Sequence, residues 1–409
     1  MTKLWNRNFT ILTLGTFVSA LGSAAASIAL GIFIYLETKS PLILAIFSII
    51  NILPRVITSF LIGPFIDRHS RIKTIYLIDF FYFTFFTVFS IILFRGYFDV
   101  VVFTAIAAFI GVVDTTYQTA YMSLFPELIT KNNASKAYST SSLIWPISAA
   151  IMAPIATFFI ESFTYGVAML MAFNAVTFFI AATMETTIKV EETLNTAKTE
   201  KWKFIHDLKE GFDYYKREKG IAGIAIVFMA FSLGYAISDL LRMPFFVEHD
   251  IYTIQHFSYL VTAGSVGRIV GGIIHYRIKI PSNKKYLIAV SVYFTVEIMG
   301  AVTLLSPYYL MIVFMFIIGV LSVTSFNIRM SATQTYIHSS IRGRVNSVFQ
   351  LLWSVGGIIG LMTAGLIAEY TNIPYEWVIF GVIFITVPMI ILFPVRMKKH
   401  FENIYNMEL

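Results

Sequence analysis

The stretch "NILPRVITSFLIGPFIDRHSRIK", Asn51 to Lys73, sets an arginine inside an apolar run and then crowds charges at the end of it. Arg55 precedes Asp67 by twelve residues. On one continuous helix rising ~1.5 Å per residue, the guanidinium then lies about 18 Å from the charged end. The run reads as a membrane-spanning helix, in which a charge at that depth needs a partner or a use.

The rest of the chain has the same character. Of its 409 residues, 57% are hydrophobic and 13% charged, and the mean hydropathy is +0.76. Those values belong to integral membrane proteins rather than to soluble domains. The absence of cysteine excludes a disulfide framework, a thiol nucleophile and a thiolate metal site. Apolar runs of about 20 residues recur at 10–36, 42–66, 74–94, 100–125, 141–160, 165–184, 221–246, 254–276, 286–306, 309–332, 345–367 and 375–395. One long charged interruption, "TIKVEETLNTAKTEKWKFIHDLKEGFDYYKREKG" from Thr187 to Gly220, separates six runs from six and reads as helical near the membrane surface. The expected organisation is an all-α membrane protein with an N-terminal six-helix bundle at 1–186, a linker at 187–220 and a C-terminal six-helix bundle at 221–409.

Charge distribution orients the spans. If the N-terminus is cytoplasmic, 24 of the 30 Lys and Arg fall in inner segments, and only Lys39 and Arg95 fall outside. The four others, Arg55, Arg242, Arg268 and Arg329, lie within spans. This is the positive-inside pattern, so both termini are expected in the cytoplasm of a multi-pass cell-membrane protein. It also explains a sequence pI near 9.3 without nucleic acid. "SALGSAAAS" after the basic start resembles a signal-peptidase site, but the apolar run before and through it is too long for a signal peptide.

A weak internal repeat fits the division into halves. "GPFID" at Gly63 to Asp67 and "GGIIH" at Gly271 to His275 each end the second span of their half and precede basic residues. Matching halves are expected of transporters that rock one bundle against another.

Gly63, Asp67, Arg68, Arg71 and Lys73 fit the loop signature of the major facilitator superfamily, G-x-x-x-D-[RK]-x-G-[RK]-x-[RK], with Ser70 in place of the second glycine. The chain is similar over nearly its whole length to the branch holding macrolide efflux proteins and the enterobactin exporter. "VSALGSAAASIALGIFIYLETKSP" resembles the first helix of that branch, and "AYMSLFPELI", "KEGFDYYKREKGI" and "IRGRVNSVF" resemble its later landmarks. The resemblance implies the major facilitator fold and a conformational latch made by the loop signature. Physically, Gly63 is expected to admit a close helix, and Asp67 to accept from Arg71 and from a neighbouring helix start. Asn346 and Gln350 are the polar candidates opposite, where the family often has an acid. Pro154 remains from the antiporter motif of the fifth helix, with Ala149, Ala153 and Thr157 where glycines are usual.

Charges within the spans are the candidate functional residues. Asp114 lies twelve residues before Pro126, about 18 Å deep, and so is a candidate partner for Arg55. In the implied fold Arg55, Asp114, Arg268 and Arg329 face the central cavity and bind cargo. Glu297 is expected to hold a neighbouring arginine, Asp239 and Arg242 to pair one turn apart, and Asp79 to be structural. Asp114, with Glu297 and Asp239 next in line, is the expected proton-coupling acid. The aromatic cluster Phe80, Phe81, Tyr82, Phe83, Phe85 and Phe86 reads as lipid-facing packing.

There is no G-x-x-x-x-G-K-[ST] loop, no catalytic constellation, no metal spacing among the seven histidines and no sizeable soluble domain. An enzyme, an ATP-driven pump and a receptor scaffold are thereby disfavoured, and no cofactor is expected. The expectation is a monomeric, proton-driven exporter of a small anionic or zwitterionic metabolite such as a siderophore, its partners being substrate, protons and lipid. A macrolide or multidrug efflux pump is the alternative.

Overall fold

A computed structural model describes residues 4–129, 133–190, 192, 204–277, 280–338 and 341–406. The helices of the first half are α1 (Arg7–Thr38), α2 (Pro41–Leu61), α3 (Gly63–Arg68), α4 (Arg71–Phe94), α5 (Val100–Leu128), α6 (Ala134–Ser162) and α7 (Gly166–Glu185). Then follow α8 (Phe204–Arg217), α9 (Lys219–Glu248), α10 (Ile254–Arg277), α11 (Lys285–Val302), α12 (Tyr308–Tyr336), α13 (Arg342–Tyr370), α14 (Tyr375–Arg396) and α15 (Lys398–Tyr405). Twelve of the described helices are long and apolar enough to cross a membrane, as the apolar runs predict. Short α3, linker helix α8 and terminal α15 are the others.

Local chemistry sets the ends of these helices. The Asn6 side chain accepts from the Phe9 amide and caps α1. At the far end Lys39 turns left-handed at φ 52°, its amide donates to the Tyr35 carbonyl, and α2 starts directly at Pro41. Asp99 caps α5 by accepting from the Val102 amide at 2.9 Å. The second span departs from the sequence reading because it is not one helix over 42–66. It stops at Leu61, and α3 restarts at Gly63 with a proline in its first turn, where the missing amide leaves no helical bond unmade. Arg55 is therefore six residues from the end of its own helix, about 9 Å.

Two compact units result. One gathers Met1–Lys39, Phe47–Thr199 and Ile254–Thr262, and the other Ser40–Ile46, Glu200–Thr253 and Ala263–Leu409. In the first, α1 packs on α6 and α7, and α4 on α5 and α7. A Cβ on Gly22 of α1 would stand 2.0 Å from the Thr177 hydroxyl and 2.9 Å from the Asn174 Cα, so only glycine permits that approach of α1 to α7. In the second, α9 packs on α13 and α14, α11 on α12 and α14, and α8 lies on α13. Gly267 of α10 and Gly319 of α12 face each other with equally little room.

The second of the two prolines in α6 shows how a helix interior is repaired. Pro154 has no amide to give to the Ala150 carbonyl, and the Thr262 hydroxyl of the same unit donates to that oxygen at 3.1 Å. Thr157, fully buried one turn on, donates to Gln255 at 2.7 Å.

Candidate ion-pair and charge-cluster site

In the first unit, α2, α4 and α5 bring three polar side chains together. The Arg55 guanidinium donates to Asp114 Oδ2 at 2.8 Å, and the Tyr82 phenol donates to Asp114 Oδ1 at 2.6 Å. Backbone proximity makes this possible. A Cβ on Gly111, one turn before Asp114, would stand 2.4 Å from the Asn51 carbonyl, and the Asn51 side chain donates to the Ala107 carbonyl at 2.9 Å. Tyr82 is buried, whereas the side chains of Arg55 and Asp114 keep 47% and 34% of their surface accessible. Charges within spanning helices need a partner, and each of these two has the other. The pairing anticipated from depth is present. Tyr82 as its third member was missed, because it sits among phenylalanines read as packing. The neighbouring rings do pack, with Phe83 on Phe179 at 5.0 Å and Phe81 on Phe109 at 5.5 Å.

The second unit holds a separate polar cluster. Arg242 and Asp239 pair within α9 at 3.9 Å, as their spacing predicts. The Tyr235 phenol on the same helix lies within hydrogen-bonding reach of Arg268 on α10. Asp239 is the most open member, with 60% of its side chain accessible.

Two expectations for this unit need correction. Arg329 is 9% exposed rather than on an accessible surface. Its guanidinium lies over Phe349 at 4.2 Å, Phe228 at 4.9 Å and Phe326 at 5.5 Å, held by the ring faces. Glu297 is 5% exposed and has no arginine partner among the described residues. Gly234 of α9 lies beside its carboxylate, and a Cβ there would stand 3.3 Å from Oε2.

The loop signature draws on α5 and on the start of the linker. Arg71 pairs with Glu127 at the end of α5, which the sequence reading did not foresee. Ser70, the departure from the family glycine, caps α4 and donates to Glu192 at the start of the linker. The same carboxylate accepts from the Arg71 amide, placing a negative charge at a helix N-terminus. A Cβ on Gly63 would meet nothing within 4 Å, so its place is at the break before α3 and not at a close helix contact. The Asp67 side chain lies outside the described residues, while Lys73 is exposed. Asn346 accepts from Gln334 at 3.3 Å.

Macrolide efflux protein A of Streptococcus pyogenes is 22% identical over 398 residues, covering 94% of this chain and 95% of that protein. Among solved structures, the nucleoside transporter NupG superposes with a TM-score of 0.72 at 14% identity, over 97% of this chain and 100% of that one. A POT family transporter in complex with a thioalcohol-conjugated peptide gives 0.73 at 11% identity, over 96% of each chain. A bacterial homologue of the iron transporter ferroportin, in an outward-facing state, gives 0.66 at 15%, over 97% and 99%. The model of the Major Facilitator Superfamily matches residues 12–361. With twelve helices long and apolar enough to cross a membrane among its described residues, the chain is a membrane transporter, not an enzyme, and belongs to the Major Facilitator Superfamily.

Proposed function

We propose that this transporter is a proton antiporter that exports a small anionic or zwitterionic metabolite, such as a metal-chelating siderophore, by alternating access. It acts as a monomer in the cell membrane with both termini and the linker in the cytoplasm. The observation that carries the reading is the accessible Arg55–Asp114 pair. A zwitterionic cargo can bridge the pair, its carboxylate on the five-donor fork of Arg55 and its cationic or hydrogen-bond-donating group on ionised Asp114. A proton on Asp114 removes the second half of that site. Exchange of cargo for proton then follows from competition for one carboxylate. Arg268 and Arg242, only partly offset by Asp239, add positive character to the second unit.

The other reading, macrolide efflux, is favoured by the likeness to Macrolide efflux protein A. Purified protein in liposomes under an imposed pH gradient, offered a carboxylate-bearing chelator and a macrolide in parallel, separates the two. Gradient-driven movement of the chelator, lost in Arg268→Gln, supports the anionic cargo. Movement of the macrolide alone establishes the second reading.

A further inference from the structure

The first unit buries a second pair of acids, Asp79 of α4 and Glu185 of α7, both 0% exposed. The two carboxyl groups lie within hydrogen-bonding reach of each other. Yet none of their four oxygens has a hydrogen-bond partner among the described residues. The charged group that acts on each carboxyl is the other carboxyl, and the Tyr117 phenol lies near both. Tyr117 and Tyr121 come from α5, and Thr16 from α1 stands beside both phenols. Ser141 of α6 bonds Tyr121 at 3.0 Å. The hydroxyl oxygens of Tyr117 and Thr16 are themselves wholly buried and unpartnered, next to the carboxyl pair. On the other side Gly15 leaves the Glu185 carboxyl its space, since a Cβ there would stand 3.1 Å from Oε1. Arg71 lies eight residues before Asp79 and is engaged by Glu127.

Two bare carboxylates cannot face each other out of water without a counter-charge, because each loses its hydration and repels the other. We propose that Asp79 and Glu185 form a proton-binding site, one proton bridging the two carboxyls while the Tyr117 hydroxyl donates to the oxygen left charged. A proton fits better than a metal ion. The carboxyls are within reach of one another without a bridging ion, and among the described residues no group of three or more His, Cys, Asp or Glu could hold a metal. The site is distinct from Asp114, although Tyr82, which is bonded to Asp114, lies one turn after Asp79 on α4.

The test needs no cargo and so is independent of the proposed function. Infrared spectra are taken of the full-length protein carrying Glu297→Gln, which removes the other deeply buried acid. The protein should show the carbonyl stretch of a protonated carboxyl at neutral pH, sensitive to deuterium exchange. Asp79→Asn and Glu185→Gln should each fold and move that band, because the remaining carboxyl no longer shares its proton, and the double variant should abolish it. Absence of the band from the parent, an unmoved band in both single variants, or a band that survives in the double variant overturns the proposal. So does a thermal midpoint that rises when sodium replaces choline at equal ionic strength, which would make the ligand a metal cation. Should either single variant fail to fold, the position of the band in the remaining one decides the matter in the same way.

Discussion

Tyr82 is the residue on which the accessible ion pair leans. Its phenol is buried and donates to one oxygen of Asp114 while Arg55 takes the other, so the carboxylate is fixed from two sides. Tyr82→Phe keeps the ring and removes a hydrogen bond to a charged group, and should lower unfolding stability by about 2 kcal/mol. Chemical denaturation of purified protein checks this, and unchanged stability would mean that the phenol is satisfied elsewhere. The Arg71–Glu127 pair is a harder constraint, its side chains being only 10% and 20% accessible. Arg71→Gln or Glu127→Gln alone should each lower stability by breaking a partly buried pair, whereas the double substitution should cost clearly less than their sum. Additive losses in a double-mutant cycle would contradict a direct pair.

At the scale of helices, close approach is decided by single glycines, and α1 offers an internal comparison. Gly22 faces Asn174 and Thr177 with no room for a methyl group, while Gly31 has nothing within 4 Å. Gly22→Ala should therefore lower stability by about 1–3 kcal/mol through overpacking. Gly31→Ala should be neutral, or stabilising by up to about 1 kcal/mol through helix propensity. Thermal unfolding of the two variants, if indistinguishable, would argue against the α1–α7 seam. Ser70→Ala should likewise cost about 1 kcal/mol, since it uncaps α4 and releases Glu192.

The spans were legible because a twenty-residue apolar run has one common use, and the Arg55–Asp114 pair because two isolated charges at matched depth have few other partners. The rest depended on tertiary facts. Glu127 lies 56 residues from the arginine it pairs, and nothing local in "FPELI" marks it. Glu185 lies just past the apolar run 165–184 and drew no reading, although an acid there, with Asp79 near an end of another run, was the available signal. Arg329 read as a cavity residue because the implied fold lines the cavity with its helix, whereas its caging rings come from α9, α12 and α13, which no local pattern joins.

For the whole molecule, the absence of cysteine makes orientation directly testable. Single cysteines at exposed Lys39 and Arg95 should react with a membrane-impermeant thiol reagent added to intact cells, and those at Lys73 and Lys284 only after lysis. The reverse pattern would invert the proposed topology. In the proposed mechanism proton and cargo compete for Asp114. Asp114→Asn retains a hydrogen-bonding side chain but cannot carry a proton, so coupling and binding separate. The most direct measurement reconstitutes wild type and Asp114→Asn in liposomes and compares transport under an imposed pH gradient with exchange at equal pH. The account predicts that the variant loses gradient-driven accumulation while exchange persists. Gradient-driven transport at the wild-type level in Asp114→Asn would contradict it.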